Sequence, residues 1–213
     1  MLAFVALLVA SRLALAALDA FVCYAATFWP PMTEPLSDQP TDPTSALFLA
    51  ANACVETFFL RMLLTMTMEL PAVRLLTPVT FLLITYADDA LYAMLHRRMH
   101  RNRLLYTLVH KHHHKQTRPH RGYTDAGNEH PLEQVFALGA HLVALTAVHQ
   151  VVGLDAVAVW THIGLKAVGS VVNHVNHEVV LSLGFGVVLS ARYHRTHHEK
   201  GGVNFSQFVP AFG

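Results

Sequence analysis

The stretch QVFALGAHLVALTAVHQVVGLDAVAVWTHIGLKAVGSVV, Gln134 to Val172, carries only Asp155 and Lys166 as charges. One bilayer crossing takes about 20 apolar residues, so this stretch is long enough for two, folded as a hairpin at Gly153-Leu154-Asp155. The same pattern recurs outward from it. Met1 to Phe28 carries only Arg12 and Asp19, and Ala46 to Met68 only Glu56 and Arg61. Leu75 to Leu95 is apolar as far as Asp88 and Asp89 and reads as a span that runs on out of the membrane. No alternating pattern of a closed barrel is present, and helices satisfy their own backbone hydrogen bonds in lipid. The expected fold is therefore all-α, a membrane helical bundle of about four to five spans.

Composition agrees. The chain has 213 residues, 53% of them hydrophobic and 14% charged, oily for a soluble protein of one domain. The N-terminal run has the small residues of a signal peptide near Ala14–Ala20, but no positive charge precedes it and it continues through Phe28, so it reads as a retained helix. A net charge of +1 points to no nucleic acid. Cys23 and Cys54 sit in apolar stretches and read as packed thiols, with no disulfide framework. A polar loop, Met32 to Ser45, holds Pro35, Pro40 and Pro43. From His96 to Arg121 the chain has Arg97, Arg98, Arg101, Arg103, Lys111, Lys115, Arg118 and Arg121 and no acid, which places that loop on the cytoplasmic side by the positive-inside rule. Arg192, Arg195 and Lys200 put the tail on the same side.

All 16 histidines lie between His96 and His198. His96 and His100 share a helix face by their spacing of four; His110, His113 and His114, and again His194, His197 and His198, are related by three and four; His174 and His177 are three apart. A single zinc site uses three or four ligands, so imidazoles in this number suit two metals, and imidazole alone does not select which metal. His112 points off that face and His120 sits in a Pro/Gly loop, both outside the expected site. His141, His149 and His162, inside the apolar hairpin, read as packed interior groups, with a cavity lining as the sharper alternative. His130 and Glu133 open a helix at Pro131 and suit capping; orientation of a ligating imidazole is the alternative role for them and for Asp88, Asp89, Asn173 and Asn204.

The segments HRRMH (96–100), LYTLVHKHHHKQTRP (105–119), HPLE (130–133), HVNH (174–177) and HRTHHEKGGVNF (194–205) together resemble the fatty acid hydroxylase superfamily, which includes sterol desaturases and sterol methyl oxidases. The likeness runs from about Asp89 to Phe205. It implies residues 1–70 as N-terminal transmembrane segments and 71–213 as the catalytic domain. It also implies two iron ions held by His96, His100, His110, His113, His114, His174, His177, His194, His197 and His198. Dioxygen would be the co-substrate in hydroxylation or desaturation of a lipid. Electrons would pass from NAD(P)H through a b-type cytochrome or ferredoxin and its reductase, since no dinucleotide fingerprint or haem segment is present. The membrane would be the endoplasmic reticulum in a eukaryote or the inner membrane in a bacterium. Two departures stand out: the third box has two residues between its histidines where some members have three, and Ser206 replaces an expected glycine. A carotenoid ring hydroxylase is the nearest alternative enzyme. A membrane metal transporter or sensor is the alternative outside enzymes, and it would place its ligands at mid-membrane depth.

Overall fold

The computed structural model describes residues 2–33 and 43–213. Pro35 and Pro40 of the expected polar loop lie outside the described residues. Three helices are long and apolar enough to cross a membrane: α1 (Leu2–Ala26), α2 (Pro43–Met68) and α6 (Pro131–Val152). At about 1.5 Å per residue each exceeds the hydrocarbon thickness of roughly 30 Å. A shorter apolar helix, α7 (Ala156–Val172), returns from α6. The turn between them is the expected one: Gly153 takes a positive φ of 75°, and the Asp155 side chain accepts from the Ala158 amide at 2.9 Å to cap α7.

Between α2 and α6 runs α3 (Thr77–Arg101), the helix that organises the molecule. Its first half is apolar and packs with α6 and α7, while its last turns carry His96, Arg97, Arg98, His100 and Arg101. Helix α1 packs on α7 and α2. One apolar core joins Phe59 and Leu63 of α2, Ile84 of α3, Leu145 of α6 and Val159 of α7. A second joins Val22 and Ala26 of α1, Val171 of α7 and the C-terminal Phe208.

After α3 the chain is irregular. Asn102 caps a single turn, α4 (Arg103–Leu105), by accepting from the amides of Leu104 and Leu105 at 3.0 Å each. A π-helical turn follows at Tyr106–His110, then a 3₁₀ turn at His113–Lys115 and the short α5 (Tyr123–Ala126). A wide turn of this kind is commonly found at functional sites.

The expectation of an all-helical chain needs one addition. Strands β1 (Val180–Gly184) and β2 (Val187–Ser190) form an antiparallel hairpin, with Val180 opposite Ser190. Gly184, Phe185 and Gly186 all take positive φ, and the β-branched valines on either side suit paired strands. The hairpin feeds α8 (Ala191–Lys200), which Ser190 caps and Gly201, at φ 65°, ends.

Candidate metal centre

Nine of the ten expected ligands converge in two adjoining groups. The first holds His96, His100, His110, His114 and His197; the second holds His113, His174, His194 and His198. Within each group the candidate ligand atoms lie within 4.8 Å of one another. The groups touch, with the His114 and His198 rings 4.7 Å apart and His113 and His110 5.9 Å apart.

The local backbone decides which imidazole goes where. Pairs spaced by four share a group: His96 with His100, His110 with His114, His194 with His198. Their neighbours His113 and His197 cross to the other group, so each of the two triple-histidine segments serves both. The shared face expected from spacing of three and four is thus divided in two.

His177 stands outside both groups. Helix α7 ends at Asn173, so a spacing of three no longer aligns His174 and His177. His174 stays with the helix end, its Nδ1 donating to the Ser170 carbonyl at 2.7 Å. His177 instead pairs through its backbone with Pro31.

Hydrogen bonding assigns the tautomers. A carbonyl or carboxylate oxygen only accepts, so a neutral imidazole facing one through Nδ1 must hold its proton there. His96 donates to the Phe205 carbonyl at 2.9 Å, His197 to Val203 at 2.7 Å and His198 to Gln116 at 2.9 Å. His110 donates to the Glu133 carboxylate at 2.6 Å. The Nε2 lone pairs of these rings are therefore free, and they face one another. In the first group Nε2–Nε2 separations are 3.1 Å for His96–His110, 2.8 Å for His110–His100, 2.9 Å for His114–His110 and 3.1 Å for His197–His114. In the second, His198–His194 is 3.0 Å and His194–His174 is 3.2 Å.

Two lone pairs at 3.1 Å, as in His96–His110, cannot hydrogen-bond. They repel unless a cation lies between them. A metal–imidazole bond of about 2.0–2.1 Å puts right-angled ligands roughly 2.9 Å apart and tetrahedral ones roughly 3.4 Å apart. The observed spacings of 2.8–3.2 Å suit imidazole nitrogens that would share one ion in each group. The residues present therefore fit a pair of metal ions with nitrogen-rich coordination.

Burial acts in the same direction. It holds the His114 imidazole down at about 3 and His197 at about 4, with neighbouring imidazoles adding to the depression of His114. His110, His113, His194 and His198 are lowered for the same two reasons. The cluster is neutral at ordinary pH, the form in which imidazole binds metal.

Of the candidate orienting residues, Glu133 reaches a ring of the centre. Asn173 is buried at the end of α7 beside His174. Asn204 takes a left-handed φ of 59° and donates to the Tyr193 carbonyl, so it shapes the turn after α8. The other three act elsewhere. His130 caps α6 by accepting from the Leu132 amide at 3.1 Å. Asp89 accepts from the amides of Gln207, Phe208 and Val209 at 2.7–3.2 Å, which anchors the C-terminal segment carrying Phe205. Asp88 lies within the bundle, where it pairs with Lys166 at 2.6 Å and His162 at 3.1 Å, with His141 at 3.5 Å. His112 sits outside the centre, bonded to Asn128 and packed on Phe48. His149 is exposed, and His120 lies beside Gln116.

Some members of the site carry no sequence signal. The carbonyls of Gln116, Ser170, Val203 and Phe205 hold four rings by backbone alone. The Phe205 ring also packs against His96, His100 and His197 at 5.4–5.6 Å.

The family model for fatty acid hydroxylase matches residues 80–212, well over half the chain and all nine converging histidines. The chain belongs to the fatty acid hydroxylase family. No curated protein and no solved structure matches it. Membership makes the chain an oxidoreductase of a membrane-associated family, in keeping with its three apolar helices of spanning length. It also gives the helix-end histidine groups their chemical context, since the family's oxidations depend on a metal centre.

Proposed function

We propose that this family member is a di-iron oxygenase that hydroxylates or desaturates a membrane lipid with dioxygen and external electrons. One observation carries the reading: two adjoining groups of imidazoles whose Nε2 atoms face each other at 2.8–3.2 Å. His96, His100, His110, His114 and His197 would hold one iron, and His113, His174, His194 and His198 the other. Bound there, the irons supply dioxygen reduction and removal of hydrogen from an unactivated C–H bond. For an alcohol product, one oxygen atom enters the lipid and the other leaves as water, with two electrons and two protons consumed.

The chain's own residues have definable tasks. Backbone carbonyls and Glu133 hold the Nδ1 protons of His96, His110, His174, His197 and His198, so the Nε2 atoms of those five rings stay available. Glu133 also holds the His110 ring in place through a bond of 2.6 Å at Nδ1. Phe205, against three rings of the first group, keeps water from that side. The electrons would come from a b-type cytochrome or ferredoxin with its NAD(P)H reductase. The basic segment Arg97–Arg121 is the candidate docking face and the candidate cytoplasmic side. The position of the two groups at helix ends favours an oxidase over a transporter with mid-membrane ligands.

The test is metal analysis joined to lipid profiling. Protein purified from iron-supplemented cells should hold two irons per chain, and expressing hosts should gain an oxidised lipid that a His114→Ala host lacks. Exchangeable zinc with no new lipid would overturn the proposal.

A further inference from the structure

A small enclosed cavity of about 100 Å³ opens against the second histidine group. His113, His174 and His194 form one wall. The rest is polar to a degree unexpected beside lipid-oxidising chemistry: Glu56, Glu129, Gln134, Lys166 and Asn173 line it, with the phenols of Tyr92 and Tyr123. An apolar chain passing through such a space would leave the unpartnered Asn173 Oδ1 without a hydrogen bond, at a cost.

The charged members already have partners. Lys166 pairs with Asp88 at 2.6 Å, and Glu56 pairs with Arg12 at 2.7 Å while accepting from Tyr123 and Gln134. Nothing there asks for an ionic headgroup. What remains is neutral hydrogen-bonding capacity. The Asn173 side chain is buried, and its Oδ1 has no partner. Glu129 also lines the cavity, where burial raises its carboxyl toward the neutral form that can donate to a hydroxyl oxygen.

The geometry points to a subsite for a hydroxyl group, the polar end of a long-chain lipid alcohol, held between Asn173 and Glu129 beside the second histidine group. The volume exceeds the roughly 10–15 Å³ that one water needs, so it takes a few heavy atoms but no acyl chain. The chain has a separate place. Leu138 lines the cavity and also a nearly wholly apolar groove of about 500 Å³ on the lipid-facing side, between Phe58 and Met62 of α2 and Val135 and Leu142 of α6. Gly139 faces open space there. With the hydroxyl inside and the tail in the groove past Leu138, the carbon offered to the histidine centre lies within a few bonds of the hydroxyl. This rests on the oxygenase reading and refines it: the substrate is an amphiphile with a neutral hydroxyl end, oxidised near that end.

Equilibrium binding of tritiated hexadecan-1-ol to the iron-loaded protein in nanodiscs tests the subsite without turnover, with hexadecane and hexadecylamine as competitors. The alcohol should compete about tenfold better than the alkane, the equivalent of one or two neutral hydrogen bonds. Asn173→Leu should remove that preference and Leu138→Trp should block the alcohol. Because Asn173 adjoins His174, Glu129→Leu is a second route to the same loss. Equal competition by the alkane, or a preference that survives both Asn173→Leu and Glu129→Leu, overturns the subsite. An amine about tenfold better than the alcohol overturns its neutral character. Iron content is measured on the same samples, so a protein that prefers the alcohol but holds no iron would sink the oxygenase reading and leave the subsite standing.

Discussion

Two buried histidine clusters lie in this bundle, and they do opposite things with the same side chain. At the end of α3 nine imidazoles meet, with one carboxyl, Glu133, touching a single ring from behind at His110 Nδ1. Deeper in, His141 and His162 meet Asp88, with ring planes 4° apart and centroids 5.2 Å apart. The deeper cluster already contains its cation, the Lys166 ammonium 2.6 Å from Asp88. The nine-imidazole centre is built of histidines alone, and their Nε2 atoms converge. A buried histidine is therefore read from its partners. Where carbonyls fix Nδ1 and the Nε2 atoms converge, the imidazoles fit a metal ion. Where an Asp–Lys pair supplies the charge, the imidazole packs.

The comparison breaks most visibly under substitution of one ligand from each cluster. His197→Ala should abolish lipid oxidation and lower bound iron, read by product analysis and metal content. His141→Phe should keep both irons and most activity. Equal iron loss in the two variants would erase the distinction between the clusters.

A next smaller effect separates stability from metal binding. Lys166→Met leaves the buried Asp88 carboxylate without its cation, with His162 and His141 as its remaining partners, and should destabilise the protein by up to about 3–5 kcal/mol, read as a lowered Tm. Iron bound per folded chain should be unchanged. Loss of iron before any loss of fold would make Lys166 part of the centre.

Acid sharpens the contrast. The unfolded chain binds protons on histidine near pH 6.5, whereas burial holds His197 at about 4 and His114 at about 3 in the fold. Between those values the unfolded state takes up more protons. Stability is therefore full above about pH 6.5 and falls as the pH drops toward 4. Bound metal should follow the same direction, because protons compete for Nε2, and metal-stripped protein should melt at a higher pH than loaded protein. Thermal melts from pH 7.5 to 4.5, with and without chelator, check the sign. Rising stability on acidification would contradict the neutral cluster.

The smallest effects come from residues around the centre. Glu133→Leu removes the partner of His110 Nδ1 and should lower activity or iron affinity about 10–100-fold. His112→Ala and His177→Ala should change neither beyond assay error. A total loss in either histidine variant would return it to the centre.

Much of this was legible in the residues, for identifiable reasons. Long apolar runs with few charges can only be helices in lipid, so α1, α2 and the α6–α7 hairpin were readable, down to the turn at Gly153 and Asp155. The histidine boxes were readable because spacing by four survives even in the π-helical turn at Tyr106–His110. Spacing stops being a guide where α7 stops, so His177, three residues after His174, lies outside both groups. The division of His113 from His114 between groups depends on backbone irregularity between Asn102 and Lys115 that propensity does not encode. The acceptor carbonyls of Gln116, Ser170, Val203 and Phe205 have no side chain to announce them. Asp88 and Asp89 looked alike as neighbours of His96, yet adjacent helix positions face different ways: one toward Lys166, the other toward the C-terminal amides.

Anomalous diffraction at the iron edge, on crystals of the iron-loaded protein, tests the central claim most directly. Two peaks are predicted, one within the His96, His100, His110, His114 and His197 group and one within the His113, His174, His194 and His198 group, with none near Asp88. A single peak, or a peak at Asp88, His141 and His162, would contradict the account.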